Sequence, residues 1–487
     1  MKQTINIFWF KRDLRTIDNS ALERAVKEKN RLLLIFTFDD ALLNDNHYTT
    51  RHHNFINESL YDLNLFFKKF GCKVHSFEMN IISLFEELKS KFSIEKVFSH
   101  METGLKMSYD RDLKFKKYCE ENNIEWIEDI NNGVFRRLQS RENWILNWNN
   151  YMKEKIRVFN PKVEDFITLN EKPKFERKII NPKKSKFQCG GSTYALRYLE
   201  TFLETRINKY QNNISKPELS RINCSRLSPY ISWGNLSTRY IWQRAKEKLN
   251  HGKSKFQING FTSRLRWEAH FIQKFEMESD MEFRSVNRGY EKLVKDINKT
   301  YIRAWENGET GYPLVDASMK CLIETGYLNF RMRAMLVSFF THHLWQPWKA
   351  GVVFLANNFL DFEPGIHYSQ FQMQAGETGI NMIRIYNPTK NAKEHDKEGV
   401  FIKKWIPELK DIPAPVLFEP WKMSLIDQVA YDCKIGKDYP KPIIDISETY
   451  KYAASKLWSF KNNKLVKEES NRILQKHTNT NRQAFDD

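Results

Sequence analysis

The sequence predicts two domains of different class, an α/β N-terminal domain built on a parallel sheet and an all-α C-terminal domain. Over residues 1–130, short apolar runs alternate with amphipathic helical segments, which is the pattern of a sheet covered by helices on both faces. From residue 192 onward, helix-length segments dominate to about residue 430. A length of 487 residues also exceeds that of one ordinary domain.

The N-terminal strands are expected where apolar residues run together. They are "INIFWF" (5–10), "RLLLIFTFD" (31–39), "CKVHSFE" (72–78), "IEKVFSH" (94–100) and "IEWIED" (124–129). Amphipathic helices are expected between them, at 20–30, 59–71, 81–92 and 107–123. Because helices connect the strands, the strands are expected to be parallel.

Three further segments complete the organisation. Residues 131–191 are irregular and charged, contain prolines and end in Gly-Gly, so they are expected to be an interdomain linker. The helical domain follows over 192–460, and the polar residues 461–487 are expected to form a fraying C-terminal tail. The stretch 359–379 differs from its surroundings, because its alternating residues suggest a strand that glycines interrupt.

Composition narrows the classes of partner. The net charge of +18 favours an anionic partner, which could be nucleic acid, an anionic membrane or an acidic protein. Aromatic residues make up 14% of the chain. They could fill large cores, or form surfaces that stack on bases or on a flat cofactor.

Cysteine spacing and hydropathy exclude several classes. The six cysteines have no CxxC spacing, which argues against zinc ribbons, iron–sulfur clusters and a disulfide scaffold, so no metal site is expected. The N-terminus does not read as a signal peptide, and no run of about 18 apolar residues occurs. A cytoplasmic protein with reduced thiols and no membrane association is predicted.

Two segments contain residues suited to binding phosphate. The Ser-rich "NCSRLSPYISWGNLSTR" (223–239) lies between two helices, where backbone N–H groups and hydroxyls can hold a phosphate. A capped inter-helix turn is the alternative. In the segment 305–340, Arg331 and Arg333 lie near the start of a helix. They could bind phosphate, pair with carboxylates inside a site, or lie on the surface.

Four ordered stretches resemble the DNA photolyase and cryptochrome family. They are "IFWFKRDLRTIDNSAL", "SRLSPYISWGNLSTR", "WENGETGYPLVDASM" and "RIYNPTKNAKEHDKEGVFIKKWIPEL". The resemblance extends over about residues 5–460 and implies an antenna-type α/β domain, a linker and a helical FAD-binding domain. The implied reaction is light-driven electron transfer from reduced FAD to a cyclobutane pyrimidine dimer in DNA.

The resemblance also implies contacts with FAD. In the family pattern, Asp361 pairs with Arg333 beside the flavin, and Glu363 meets its imide or ribityl region. His367 falls next to flavin N5, where the repair enzymes usually have Asn. A His there could donate a hydrogen bond to N5 or titrate and alter the stable redox states; a core His bonded to the backbone is the alternative. The full implied set is Tyr210, Cys224, Ser225, Arg226, Leu227, Ser228, Phe330, Arg333, Asp361, Phe362, Glu363 and His367, with Cys224 replacing a usual Thr and so losing a hydroxyl donor.

The electron route departs from the family pattern. Many relatives use three tryptophans that lead from the surface to the flavin. Trp348 matches the middle one, but Phe371 stands at the flavin-proximal position and Lys295 near the surface position. Because Phe is much harder to oxidise than Trp, the usual route is broken. The sequence does not choose among the aromatic residues that could replace it, which include Trp345, Tyr368 and Tyr386.

The implied DNA face is also altered. Trp267 matches a family Trp that stacks on the dimer, although core packing is the alternative. The usual acid three residues earlier is Arg264, which could stabilise the dimer radical anion or bind a phosphate. Met373 replaces a second stacking aromatic, and Phe330 replaces an Asn near the pocket. The implied DNA-binding residues are Arg264, Trp267, Arg331 and Met373. These features resemble a divergent bacterial photolyase subclass that prefers lesions in single-stranded DNA.

The predicted function is therefore that of a deoxyribodipyrimidine photo-lyase, a monomeric carbon–carbon lyase acting on UV-damaged DNA. The catalytic residues implied are Arg264, Trp267, His367 and Trp348. A cryptochrome-type photoreceptor is one alternative. A (6-4) photolyase is another, and it would need His acid–base chemistry, although His342 and His343 fall past the pocket in the family pattern. No residue of the N-terminal sheet selects an antenna chromophore.

Overall fold

The computed structural model describes residues 2–169, 175–181, 185–252 and 254–478, and it confirms both predicted domain classes. The N-terminal domain contains a parallel sheet with the strand order β3-β2-β1-β4-β5. The strands are β1 (Gln3–Phe10), β2 (Leu32–Thr37), β3 (His75–Phe77), β4 (Phe92–His100) and β5 (Glu125–Asp129).

Helices surround the sheet and dominate the described part of the second domain. The first six are α1 (Ser20–Ala25), α2 (Asp40–Leu43), α3 (Thr50–Phe67), α4 (Ile81–Lys91), α5 (Lys106–Glu121) and α6 (Trp144–Lys153). The helical domain contains α7 (Ser192–Glu204), α8 (Tyr210–Asn213), α9 (Pro217–Asn223), α10 (Ser228–Ser232), α11 (Thr238–Glu247), α12 (Lys255–Met277), α13 (Lys299–Asn307), α14 (Pro313–Thr325), α15 (Phe330–Ser338), α16 (Lys349–Asn358), α17 (Pro364–Gln374), α18 (Pro388–His395), α19 (Val400–Trp405), α20 (Ala414–Leu417), α21 (Leu425–Ala430), α22 (Ile446–Lys461) and α23 (Lys464–His477). Among the described helices, none is long and apolar enough to cross a membrane.

Both faces of the sheet are buried. Phe8 and Phe10 of β1 pack into one hydrophobic cluster, whereas Ile7 and Trp9 pack into another on the opposite face. Successive side chains of a strand point to opposite faces. A strand covered on both sides therefore reads as a continuous apolar run, which is why these strands could be located in the sequence.

The predicted linker contains regular structure. Helix α6 buries Trp144 and Trp148, and it packs against α11 of the helical domain. A short strand, β6 (Phe166–Ile167), pairs in parallel with β2 and so adds to the sheet. The prediction of an irregular linker over 131–191 is wrong for these two segments, and its residues 170–174 and 182–184 lie outside the described part of the chain.

A buried ion pair joins the two domains. Both carboxylate oxygens of Asp18, in the loop after β1, accept from Arg239 on α11, at 2.6 and 3.0 Å. Both side chains are almost fully buried, at 0% and 2% exposed. A further donor to Asp18 is the hydroxyl of Ser237, at 2.6 Å. Because buried charges are costly without partners, this pairing fixes the position of the loop that leads to the candidate site.

The stretch 359–379 is helical where the alternation suggested a strand. Helix α17 begins with Pro364 after the extended residue Glu363, a common arrangement at helix starts. Gly365 packs so closely on α12 that an added Cβ would lie 2.6 Å from the Ile272 Cα. Gln372, one of the alternating polar residues, is buried and bonded to three backbone groups. Because Gln372 is polar but buried, the alternation of polar and apolar residues wrongly suggested a strand here.

The C-terminal residues fold instead of fraying over most of their described length. Helix α23 buries Val466 and Ile473. Glu278, next to the end of α12, receives hydrogen bonds from Arg472 and His477 of α23, at 3.0 and 2.8 Å. The prediction of a tail over 461–487 is wrong for this helix, and residues 479–487 lie outside the described part of the chain.

Candidate functional site

The Ser-rich loop between α9 and α10 forms one wall of the site. Arg226 adopts a left-handed backbone conformation with φ of 60°, which is strained for a residue with a side chain. Its guanidinium donates to the Gln188 side chain at 2.8 Å and lies 3.7 Å from the Tyr327 ring centre. The Arg226 Nε is buried and has no partner within the described chain. Arg226 is therefore held rigidly with a free donor, which suits binding of an anion.

The other predicted residues of this wall lie around that arginine. Cys224 is buried, and burial raises the pKa of its thiol to about 12, so the thiol stays protonated. Ser225 accepts from the Leu227 backbone N–H at 3.4 Å, and Ser228 begins α10. Tyr210 is buried against Phe202 and Phe261. Cys224 is close enough to Tyr210 to act on its phenol electrostatically, and the role of these residues in binding a diphosphate stays a prediction.

Asp361 and Arg333 form the predicted ion pair. Arg333 Nη2 donates to Asp361 Oδ2 at 2.8 Å, and its Nε donates to the Leu328 carbonyl at 2.7 Å. The guanidinium also lies 4.0 Å from the Phe359 ring centre. Asp361 is 8% exposed, and its Oδ1 is buried without a partner in the described chain. One oxygen of the carboxylate is therefore committed to Arg333, and the other is available as an acceptor.

Glu363 is paired with a residue from the other domain. Arg12, which follows β1, lies with its Nη1 3.4 Å from Glu363 Oε2. Its Nη2 donates to the carbonyl of Phe362 at 2.7 Å and to the Ser232 hydroxyl at 3.0 Å. Burial raises the pKa of Glu363, and the charge of Arg12 opposes that rise. The sequence did not reveal Arg12, although its position at the carboxyl end of a parallel strand is a recognised signal for binding sites.

Glu268 is a second residue that sequence reasoning missed. It lies one position after Trp267 on α12, and burial, together with the charges of Glu363 and Asp361, raises its pKa to about 8. The charges of two other carboxyl groups therefore act on Glu268. Around neutral pH, Glu268 is mainly protonated, so it can donate as well as accept a hydrogen bond.

His367, on α17, is surrounded by aromatic rings. Its ring centre is 5.2 Å from that of Phe362 and 5.7 Å from that of Phe371. The Nε2–H donates to the Val352 carbonyl at 2.8 Å, the backbone bond that the alternative interpretation requires. Burial lowers the pKa of His367 to about 3, so the ring is neutral around neutral pH. Its Nδ1 is then an acceptor, and its predicted place beside flavin N5 stays a prediction.

The predicted DNA residues lie at the surface. Trp267 is 46% exposed, stacks on Phe271 at 5.8 Å and contacts His270 at 5.3 Å. Arg264, one turn earlier on α12, is exposed. A core residue would be covered, so the exposed indole favours a stacking surface over core packing. Three other predicted residues are partly or substantially exposed: Phe330, Arg331 and Met373.

The positions of the missing tryptophans are filled by a different network. Lys295 is buried, lies 3.3 Å from Glu377 and 4.8 Å from the Trp345 ring centre. Trp348 donates its indole N–H to Ser285 at 3.0 Å, and the Ser285 hydroxyl donates to Glu377 at 2.8 Å. Trp348 is therefore linked through hydrogen bonds to Lys295, which stands near the position where relatives are expected to have the surface tryptophan.

A small cavity lies between the domains at the carboxyl ends of β1 and β2. Its walls include Lys11, Arg111 and Glu102. Lys11 pairs with Asp112 at 3.1 Å, and Arg111 pairs with Glu102 at 2.7 Å. Lys11, Arg111 and Glu102 are therefore already paired within the protein.

Family models match both domains of this architecture. A model described as the FAD binding domain of DNA photolyase matches residues 261–459, which hold Trp267, Arg333 and Asp361. A model described as DNA photolyase matches residues 6–141, which hold the sheet and Arg12. The chain belongs to the DNA photolyase and cryptochrome family.

Known relatives within this family carry two kinds of name. The deoxyribodipyrimidine photo-lyase of Alkalihalophilus pseudofirmus is 33% identical over 54% of this chain and 55% of that protein, so the match spans about half of each. That of Buchnera aphidicola is 26% identical over 92% of this chain and 96% of its own. A cryptochrome DASH of Natronomonas pharaonis is 27% identical over 46% of this chain and 48% of that protein. A bacterial class III photolyase from Agrobacterium tumefaciens shares the fold, with a TM-score of 0.83, 20% identity and coverage of 95% of this chain and 99% of that one.

The polar groups of the site fit the family's cofactor, FAD. Buried atoms without partners in the described chain include the acceptors Asp361 Oδ1 and Glu363 Oε1 and the donor Arg226 Nε. Buried polar atoms are normally bonded, so these atoms indicate a ligand. The two acceptors suit the N–H and hydroxyl groups of a flavin and its ribityl chain, and the donor suits a diphosphate.

The low pKa of His367 predicts the pH response of the bound flavin. The reduction potential of FAD should show no inflection due to His367 between about pH 5 and pH 8, because the neutral ring has already lost its proton below that range. Spectroelectrochemical titration of the native protein and of His367→Asn measures this. An inflection near the ordinary histidine pKa that disappears in His367→Asn would show that the ring titrates.

Proposed function

We propose that the protein is a light-driven DNA photolyase that splits cyclobutane pyrimidine dimers and accepts them in single-stranded DNA. The observation that carries this proposal is the exposed indole of Trp267, which lies one helical turn from the exposed cation Arg264. The next residue, Glu268, is close enough to Glu363 and Asp361 for their charges to raise its pKa. A stacking ring at the mouth of a flavin site is what recognition of an extruded base requires. The net charge of +18 supports an anionic polymer as substrate.

The residues of the site divide the work between cofactor and substrate. Bound FAD, when reduced and excited by blue light, supplies the electron that opens the cyclobutane ring. Asp361 and Arg333 orient it, and the Arg12–Glu363 pair ties that orientation to the N-terminal domain. Trp267 stacks on the dimer. The charge of Arg264 stabilises the negative charge that the dimer carries after accepting the electron.

Single-stranded DNA suits this face for an energetic reason. A dimer in a duplex must be unpaired and unstacked before it enters a pocket, which costs a few kcal/mol. At the two positions where the family pattern has stacking rings, this face has the half-exposed ring of Trp267 and the partly buried side chain of Met373. With fewer stacking contacts to offset the unpairing cost, a substrate that is already single-stranded is favoured.

The test is repair of defined oligonucleotides. FAD-loaded, reduced protein is mixed with a thymine-dimer oligonucleotide, single- or double-stranded, and illuminated with blue light. Loss of dimers that needs light, and that is faster in the single strand, supports the proposal. Protein that holds reduced FAD but leaves the dimers intact under light would refute photolyase activity, and equal rates on both forms would refute the strand preference.

The same assay separates the alternatives. A (6-4) lesion in place of the dimer tests for a (6-4) photolyase. That activity is disfavoured because His342 and His343 are both buried, each is bonded through both ring nitrogens, and burial lowers their pKa values to about 3 and 4. Retention of FAD without repair of either lesion would favour a photoreceptor of cryptochrome type.

A further inference from the structure

A buried tyrosine near Trp348 is hydrogen-bonded to a histidine of the other domain. Tyr368, on α17, is 2% exposed. Its hydroxyl lies 2.6 Å from Nε2 of His47, in the loop before α3. The contact is short for a hydrogen bond between a phenol and an imidazole. Neither residue belongs to the flavin or DNA contacts described above, so the pair needs another explanation.

A carboxylate fixes the state of that histidine. His47 Nδ1 lies 2.6 Å from Asp45 Oδ1, which also accepts the His47 backbone N–H at 2.8 Å. Because a carboxylate only accepts, the proton of neutral His47 is on Nδ1, and Nε2 is left as an acceptor for the Tyr368 hydroxyl. Tyr368, His47 and Asp45 are called the Tyr368 relay below.

The relay is held rigidly between the domains. The His47 ring is stacked on Phe362, with centres 5.4 Å apart and planes 7° apart. At the start of α3, Thr49 donates to the Asn357 carbonyl at 3.2 Å, and His52 donates to the Phe359 carbonyl at 2.9 Å. The loop is thus fastened to the same segment, 357–362, that contains the site's Asp361.

The phenol ring also contacts the electron-transfer region. Tyr368 lies with its ring centre 6.1 Å from that of Trp348 and 5.9 Å from that of His367. Phe371, at the position of the missing tryptophan, is 6.4 Å from Trp348. The relay is therefore next to the one tryptophan of the usual route that this chain retains.

We propose that the Tyr368 relay is a proton-coupled electron donor that reduces the light-excited, oxidised flavin. One electron leaves the Tyr368 ring for the flavin, and the phenolic proton moves in the same event from the Tyr368 oxygen to Nε2 of His47. The products on the protein are a neutral tyrosyl radical and an imidazolium ion, which Asp45 stabilises. This inference depends on FAD binding and not on repair of DNA.

The surroundings explain why the proton and the electron move together. Burial raises the pKa of the Tyr368 phenol well above its usual value, so no phenolate is present to be oxidised. An oxidised phenol is strongly acidic and must release its proton to a nearby base. The charged and titratable groups that act on the Tyr368 phenol are Glu282, Asp45 and Tyr48. Asp45 Oδ1 lies 2.6 Å from the His47 ring, so its charge stabilises the imidazolium ion that the proton transfer forms.

The other candidate routes are less suited to oxidation. Trp345 contacts Tyr452 at 5.1 Å, but no ring contact within the described chain joins it to Trp348. The buried cation of Lys295 lies 4.8 Å from the Trp345 ring and would destabilise a radical cation there. Tyr386 is contacted through its backbone, by Ser338 and His343. Tyr368 is the aromatic substitute with a base in place to take its proton.

Electron paramagnetic resonance of the FAD-loaded, full-length protein tests the proposal. Oxidised protein is illuminated with blue light without added reductant and frozen. We expect a tyrosyl radical, identified by the change in hyperfine pattern when the protein contains ring-deuterated tyrosine. Tyr368→Phe should remove this signal. Tyr290→Phe should retain it, and it is a matched control because Tyr290 is also 2% exposed and its hydroxyl has no partner in the described chain.

A second variant tests the proton acceptor without touching the tyrosine. His47→Asn should slow radical formation about tenfold or more, because the base is lost. Radical formation in the native protein should also be slower in heavy water. A purely structural role for the relay would lower the melting temperature of the variants without affecting these readouts.

Three results would overturn the proposal. They are a native protein that forms no tyrosyl radical, a tyrosyl signal that persists in Tyr368→Phe, and a rate in His47→Asn within twofold of the native rate. If Tyr368→Phe does not fold, the rate in His47→Asn and the labelled native spectrum decide the question. DNA is absent throughout, so the outcome is independent of the repair assay.

Discussion

Replacing Asp361 by Asn should weaken FAD binding by about 2–3 kcal/mol, which is about 30- to 140-fold in Kd. The buried carboxylate bonds Arg333 through Oδ2 and presents Oδ1 without a partner in the described chain. Asn has the same shape and can still accept from Arg333 with its one oxygen. Its NH₂ group then stands where an acceptor is needed, and the charge that balances Arg333 is lost. Reconstitution of the FAD-free protein, followed by flavin fluorescence, measures the change.

The matched control is Asp280→Asn. Asp280 also pairs with an arginine, Arg284, but its side chain is 55% exposed. Exposed pairs contribute little, so FAD affinity and stability should be nearly unchanged. The melting temperature of the FAD-free variants separates a loss of affinity from a loss of fold. A Kd for Asp361→Asn within about threefold of the native value would contradict the assigned role of the free Oδ1.

The predictability of the fold depended on how each segment is buried. The strands of the sheet were found because both faces are covered, which gives continuous apolar runs such as that of residues 32–36. Helix α17 was not, because its buried Gln372 satisfies its polar atoms internally and looks solvent-facing in the sequence. Helix α23 was not, because an ion pair from Arg472 and a hydrogen bond from His477, both to Glu278, hold a polar helix that composition alone assigns to a tail. The polar/apolar pattern therefore gives the wrong prediction where polar residues are hydrogen-bonded inside the protein.

Site contacts between residues close in the sequence were easier to predict than contacts between distant residues. Arg333 and Asp361 are 28 residues apart within the region that the FAD-binding model matches, and their pairing was expected and is found. Arg12 and Glu363 belong to different domains, and the partners of the Tyr368 relay are 321 residues apart. Neither contact leaves a local pattern, because the pairing is created by docking of the two domains. The sequence identified Tyr368 as one of several aromatic candidates for the electron route. Only the contact with His47, in the loop before α3, distinguishes it from the others.

Replacing Trp267 by Ala should lower the affinity for dimer-containing single-stranded DNA by about 1–3 kcal/mol, or about 5- to 140-fold in Kd. The indole is 46% exposed and is supported from below by Phe271. Stacking of a base on such a ring is lost with the side chain, whereas the fold loses little because the ring is not in the core. Trp267→Phe should retain part of the affinity. Fluorescence anisotropy with labelled oligonucleotides measures all three proteins.

Two comparisons make this prediction specific. Trp458, on α22, is 52% exposed, so Trp458→Ala removes an equally exposed indole from another surface and should leave DNA affinity unchanged. Salt separates stacking from charge. Trp267→Ala should keep the native slope of log Kd against log salt concentration, because no phosphate contact is lost, whereas Arg264→Ala should reduce the slope by about one if Arg264 neutralises a phosphate. If instead Arg264 acts on the charge of the dimer, Arg264→Ala will keep the native slope and lower the repair rate. Equal affinities of Trp267→Ala and Trp458→Ala for the oligonucleotide would mean that Trp267 contributes no more to DNA binding than an unrelated exposed indole.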